Sequence, residues 1–302
     1  MSYRSILAHI IREENGTSSG VWGPFVLKSA FQPIFAFHEG RLSIAAFEGL
    51  LRPHRDGQQV SPGSFFATLP PMDRLAVETL SRTLHLLNAG ACLPRQPALF
   101  INFDPSVFLD RSIANSALID MKSVLADAGV DPRRVVCEVT EQKSGSAEVL
   151  SNFVQILRSN GFRIAVDDYG AADSDIERIK ALKPEIVKFD AHWITRLMES
   201  GPGFGLLSAM VSIFTERGIT TVFEGIEENW QLELAERSGA AMVQGYVLAR
   251  PEIVPTSFAA FPTVPLPISS SAADAPTIGV AREAASRNVR LVPKSFGRRL
   301  SP

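Results

Sequence analysis

Apolar residues recur through the middle of the chain in short runs, and the segments between them carry apolar positions at helical spacing. The runs read "AFQPIFAF", "LSIAAFEGLL", "ALFINF", "VVCEVTE", "RIAVDDYG", "EIVKFD", "TTVFEGI" and "MVQGYVL", and they predict eight strands. Amphipathic stretches such as "SAEVLSNFVQILRSNG" and "NWQLELAERSGA" lie between most of them. Alternation of strand and helix argues for a parallel sheet, and this many strands fit a (β/α)8 TIM-type barrel better than an open sheet. The first two runs are joined only by "HEGR", His38 to Arg41. A parallel crossover needs a dozen or more residues, so this pair is expected to be antiparallel. The predicted fold is therefore α/β, a modified barrel with one antiparallel strand.

The ends of the chain pattern differently. Residues 1–20 read as an N-terminal extension, a short amphipathic helix followed by a Gly/Ser break, and residues 21–261 form the body. Residues 262–302 open with "PTVPLPISSSAADAPT" and then turn basic, with Arg282, Arg287, Arg290, Lys294, Arg298 and Arg299. This composition buries little core and predicts a mostly disordered tail, with a short helix near Val280 to Asn288. The 302 residues carry a formal net charge of −2, which implies no bulk attraction to a nucleic acid polymer or an anionic membrane. No apolar stretch is long enough to span a bilayer, and the N-terminus lacks a signal-peptide core. The two cysteines, Cys92 and Cys137, sit in apolar contexts and fit a reducing compartment, so a cytoplasmic location is expected.

Polar residues interrupt the strands at chosen places. Glu48, Asn102, Glu138, Asp167, Asp168, Lys188, Glu224, Glu227 and Gln244 each lie in or close an apolar run. In a barrel, groups at the carboxyl ends of the strands converge on one mouth. Several carboxylates and an amide oxygen, with no His or Cys among them, form a hard oxygen site that favours Mg²⁺ or Mn²⁺ over Zn²⁺. Crowded carboxylates repel unless a divalent cation neutralises them. Asp167 and Asp168 cannot both point inward from a regular strand, so the backbone must turn at the strand end for both to reach one or two ions. Taken singly, an acid at a strand end is a cap or an ion-pair partner, Lys188 a surface lysine and Asn102 a turn residue; the ordered set carries the argument. Asp173 and Asp175 read as an N-cap and a first-turn acid, Cys137 as core, and His54, His85 and His192 as ordinary.

The set resembles the EAL-domain family of cyclic di-GMP phosphodiesterases over roughly Phe31 to Pro251. The resemblance rests on Gln32-Pro33-Ile34, on Glu48-Gly49-Leu50 within "FEGLLRP", and on "INFDP". It continues through Glu138-Val139-Thr140-Glu141, "DDYG", Lys188-Phe189-Asp190, Glu224-Gly225-Ile226-Glu227 and Gln244-Gly245-Tyr246. It implies that Glu48, Asn102, Glu138 and Asp167 are ligands of one divalent metal and that Asp168 helps hold a second. It implies that Lys188 orients the attacking water and steadies phosphate charge, and that Glu224 is a ligand or general base. Glu227 and Gln244 would fix Lys188, the water or the metal geometry. Arg52 would meet a substrate phosphate, Gln32 and Asp168 the substrate side, and Glu141 would anchor the loop after the Asp pair. The implied reaction opens cyclic di-GMP to linear pGpG with one or two Mg²⁺ or Mn²⁺ ions, in a homodimer.

Three features depart from the family pattern. Gly49 stands where the signature has Ala, and both being small, little effect is expected beyond backbone freedom. The loop usually written DDFGTGYSS reads "DDYGAADSD", which bears on coupling between the metal site and the dimer interface. The residues before "FQPI" do not match the usual leading helix, which leaves control to dimerisation, a protein partner or the tail. The alternative to an enzyme is an inactive EAL domain serving as a cyclic di-GMP receptor or protein-interaction module; retention of the acids and the lysine favours the enzyme.

Overall fold

The computed structural model describes residues 3–38, 40–104, 111–139, 147–171 and 176–267. Its elements, in chain order, are α1 (Tyr3–Leu7), β1 (Ile10–Arg12), β2 (Ser18–Trp22), β3 (Phe25–His38), β4 (Arg41–Arg55), β5 (Gln58–Gln59), α2 (Pro62–Ala67) and α3 (Arg74–Cys92). There follow β6 (Ala98–Phe103), α4 (Arg111–Ala128), β7 (Val135–Val139), α5 (Ala147–Ser159), β8 (Arg163–Tyr169), α6 (Ile176–Leu182) and β9 (Ile186–Phe189). The last are α7 (Ala191–Met198), α8 (Gly201–Glu216), β10 (Thr220–Phe223), α9 (Asn229–Ser238), β11 (Met242–Val243) and β12 (Glu252–Ile253).

Neighbouring strands run in the ring β3-β11-β10-β9-β8-β7-β6-β4, which closes through β3–β4. Within the ring the pairings from β4 round to β11 are parallel, whereas β3 is antiparallel to both its ring neighbours. The reversed strand is thus the first of the ring, as the short link from His38 to Arg41 requires, and all eight predicted strands are present.

Period-two alternation divides each strand between two cores. The outward set, including Phe47, Leu99, Ile101, Cys137, Ile164, Val187 and Phe223, packs against the helices. The inward set forms a separate apolar floor of Ile34, Ala46, Phe100, Val136, Ala165, Ile186, Val222 and Met242. Its small members leave space that Leu266 fills from below. The segment carrying Leu266 is tied to the barrel: Ile44 N–H donates to Pro262 O at 2.9 Å, Val264 N–H to Ile44 O at 2.9 Å, and Thr220 Oγ1 to Pro267 O at 2.9 Å. The boundary expected after Phe261 therefore falls inside a segment the barrel holds; the rest of the expected tail lies outside the described residues.

The N-terminal extension also joins the sheet. β1 and β2 form a hairpin whose second strand pairs with β3, and Ile6 of α1 is fully buried, facing α3 and α4. Asn88 of α3 fastens the hairpin by accepting from Ser18 N–H at 2.7 Å and donating to Ser18 O at 2.9 Å.

Candidate active site

Two residues beyond each floor residue, on the same face, stands a polar one. Ala46 is followed by Glu48, Phe100 by Asn102, Val136 by Glu138, Ala165 by Asp167, Ile186 by Lys188, Val222 by Glu224 and Met242 by Gln244. On the reversed strand the step runs backwards, from Ile34 to Gln32, and Gln32 pairs opposite Glu48. One polar layer from all eight strands therefore caps one apolar layer.

Lys188 is the centre of that layer and is 1% exposed. Its Nζ lies 2.5 Å from Glu138 Oε1, 2.6 Å from Glu224 Oε1, 3.3 Å from Asp167 Oδ1 and 3.5 Å from Glu48 Oε2. Burial opposes its charge, but Asp167, Glu138, Glu224 and Glu48 together hold the ammonium well above the usual lysine range. Gln244 Nε2 donates to Glu48 Oε2 at 2.8 Å. One ammonium does not balance four carboxylates. Burial, with Glu48 and Asp167 nearby, raises the Glu138 carboxyl despite Lys188. Glu224 is pushed up to about 8 by burial and by Asp167 and Glu48, again against Lys188. Glu138 is fully buried, yet its Oε2 meets no hydrogen-bond donor among the described residues.

The Asp pair is placed by a bulge. Between β8 and β9 the register shifts after Val166, so that Tyr169 pairs with Phe189. Asp168 takes the extra position at φ 56°, the left-handed region that Asp adopts more readily than most residues. The local turn brings carboxylate oxygens of Asp167, Asp168 and Glu224 within 4.8 Å of one another. The strand-end turn inferred from the paired aspartates is this bulge. All donors in the two groups are oxygens, an arrangement that suits a hard divalent cation, and the undonated Glu138 Oε2 and surplus negative charge fit one.

The remaining predicted residues are placed differently. Asn102 is exposed at the mouth, with Glu138 as its register partner. Gln32 Nε2 donates to Ala249 O at 3.2 Å, and Arg52 Nη1 to Leu51 O at 3.0 Å. Arg52 and Asn102 open onto a cavity of about 250 Å³ between β4, β6 and α3, walled by Phe66 and Phe103. Glu227 is exposed and is not among the carboxylates at Lys188; its backbone N–H donates to Gln231 Oε1. Glu141, Asp173 and Asp175 lie outside the described residues. Sequence reasoning missed Glu78, Arg82 and His85, buried in that cavity's α3 wall, and took His85 as ordinary. The available signal was Gly49, a glycine in a strand with no turn to explain it.

A model of the EAL domain family matches residues 26–251. The chain is 26% identical over 209 residues to the Probable cyclic di-GMP phosphodiesterase PdeA of Escherichia coli, covering 68% of this chain and 28% of that protein. It is 29% identical over 227 residues to the Cyclic di-GMP phosphodiesterase RocR of Pseudomonas aeruginosa, covering 73% of this chain and 56% of that one. Among solved structures, the manganese and cy-diGMP complex of Klebsiella pneumoniae BlrP1 superposes with a TM-score of 0.67 at 27% identity, over 75% of this chain and 56% of that one. The chain thus spans between about a quarter and somewhat over half of these relatives.

Proposed function

The chain belongs to the EAL domain family, and on that premise we propose that it is a metal-dependent phosphodiesterase that hydrolyses cyclic di-GMP to linear pGpG. The observation that carries the reading is the layer of oxygen donors around the buried Lys188 ammonium, set at the mouth of the barrel. Glu48, Asn102, Glu138 and Asp167 would hold one Mg²⁺ or Mn²⁺, and Asp167, Asp168 and Glu224 border a place for a second. A cation there supplies a more acidic water and neutralises charge on the attacked phosphate.

The chain's own residues do the rest. Lys188 orients the attacking water and steadies charge on the phosphate oxygens. Glu224, a fifth exposed on its side chain at 19%, takes the proton that the water loses. The water oxygen bonds to phosphorus, the bond to the 3′-oxygen breaks, and that oxygen takes up a proton from solvent. Gln244 keeps Glu48 oriented, while Arg52 presents a guanidinium to a substrate phosphate. Gln32 contacts the substrate side and Glu227 supports the site from outside the Lys188 cluster.

Free thiols at Cys92 and Cys137 support a reducing, cytoplasmic setting. Among the described residues no helix is long and apolar enough to cross a membrane. Homodimer formation is supported by α8, which exposes Leu206 and Ile213. The functional unit is taken to run from α1 through Leu266, beyond the expected 21–261 body.

The test is incubation of purified protein with cyclic di-GMP and Mn²⁺ or Mg²⁺, followed by chromatography. Appearance of pGpG that chelation abolishes is expected. Binding of the nucleotide with no cleavage in either metal would overturn the enzyme in favour of a receptor.

A further inference from the structure

Gly49 lies under the imidazole of His85. A β-carbon at Gly49 would stand 3.0 Å from His85 Cγ and 3.2 Å from both Cβ and Cδ2. The backbone at Gly49 lies in a paired strand opposite Phe31, so the close approach, not an unusual conformation, is what calls for glycine. The ring above it is 3% exposed and held at both nitrogens. Nδ1 is 2.9 Å from Ser29 Oγ on β3, and Nε2 is 3.2 Å from Ser81 Oγ on α3. Ser29 Oγ also receives Asn88 Nδ2 at 3.0 Å, and the Phe31 ring meets His85 edge-on with centroids 6.2 Å apart. The imidazole cannot swing aside without leaving buried polar atoms unpaired. An atom added at position 49 therefore calls for a shift of a few tenths of an ångström, which the pinned ring passes to β4. Glu48 precedes that position directly, and Arg52 follows on the same strand.

We propose that His85 is a positioning residue for the active site: its ring, pinned between Ser29 and Ser81, sets the distance between α3 and β4 and so places Glu48 and Arg52. Gly49 gives this ring room, so the two form one unit, and exchanging Gly for Ala here carries more than the small effect expected from size alone. The inference rests on the phosphodiesterase reading only through the roles of Glu48 and Arg52; the packing stands apart from it.

The test is a double-mutant cycle of Gly49→Ala, His85→Ala and the pair, read by Mn²⁺ titration with electron paramagnetic resonance, by melting temperature, and by kcat and KM for cyclic di-GMP. Gly49→Ala is expected to weaken Mn²⁺ binding about tenfold, the loss typical when a ligand's support shifts, and to raise KM. Removing the ring in the Gly49→Ala background is expected to return Mn²⁺ affinity most of the way, a strong non-additivity. His85→Asn, smaller but able to bond Ser29, serves as the partner if His85→Ala does not fold. Unchanged Mn²⁺ affinity and KM in Gly49→Ala would overturn the proposal, as would losses that simply add in the double variant. Should the natural protein leave cyclic di-GMP uncleaved, the phosphodiesterase reading falls, while Mn²⁺ affinity and melting still decide the role of His85.

Discussion

Glu48 is where the strands' chemistry meets: its Oε2 accepts from Gln244 and faces Lys188, and its neighbour Gly49 carries the His85 ring. Glu48→Ala should remove a proposed metal ligand and the anchor of Gln244 together. We expect turnover to fall by at least ~10²-fold, measured as pGpG release; ordinary activity in this variant would refute the site. His85 offers a second prediction at this scale. Burial, reinforced by Arg52 and Arg82, lowers its pKa from 6.5 to about 3. The unfolded chain therefore binds the proton that the folded one refuses. The stability this group contributes is complete above about pH 6.5 and is lost as pH falls toward 3, at up to about 1.4 kcal/mol per pH unit. Urea midpoints of the protein and of His85→Gln, compared between pH 7 and pH 4.5, should converge as the pH drops. Parallel curves would show that the ring is charged or exposed.

The bulge at the end of β8 does at the level of an element what no single side chain can. A regular strand would send Asp167 and Asp168 to opposite faces, and the left-handed residue at 168 lets both face the mouth. Asp168→Asn should keep the fold, because Asn tolerates this backbone, while losing activity. Asp168→Val should cost about 1–2 kcal/mol in denaturant unfolding, since a β-branched side chain is disfavoured there; equal stability of the two variants would mean the bulge is not held. The strands themselves were legible in the sequence for a simple reason. Each parallel barrel strand is an apolar run with a polar residue two places past an inward apolar one, as in Val136 and Glu138 or Ile186 and Lys188, so periodicity located the strands, while the roles at their ends came from the resemblance. The bulge announced itself through two adjacent acids. What stayed hidden depends on partners far apart in the chain: Ser18 on Asn88, Gly49 under His85, Leu266 in the floor. Leu266 sits in a Pro- and Ser-rich stretch whose composition argues against burial, and only the alanines of the floor explain why it is buried.

Across the whole molecule the polar layer is a source of instability until a cation joins it. Glu138 and Glu224 have folded pKa values above the ordinary carboxylate range. The stability such groups contribute is present below about pH 4.5 and is lost as pH rises, for Glu224 through about 8. Adding Mn²⁺ at pH 8 should therefore raise the melting temperature, and more so than at pH 5.5, with Glu48→Ala blunting the gain. An equal shift at both pH values would separate metal binding from these carboxylates. At the opposite end of the barrel, Leu266→Ala should cost about 2–4 kcal/mol by emptying the floor, read from unfolding midpoints. The reversed β3 has a further consequence, for the order in which the barrel assembles. Because β3 runs against β4, the ring begins with a long hairpin between sequence neighbours, reaching from the His38–Arg41 pair to the Phe25–Arg55 pair. The opposite seam joins Phe35 to Val243, across most of the chain. Local pairings close with little loss of chain entropy and distant ones with more. Pulse-labelled hydrogen exchange during refolding should accordingly protect the β3–β4 amides early and those of β11 last, so that the barrel zips from its one antiparallel hairpin and is sealed along that strand's other edge.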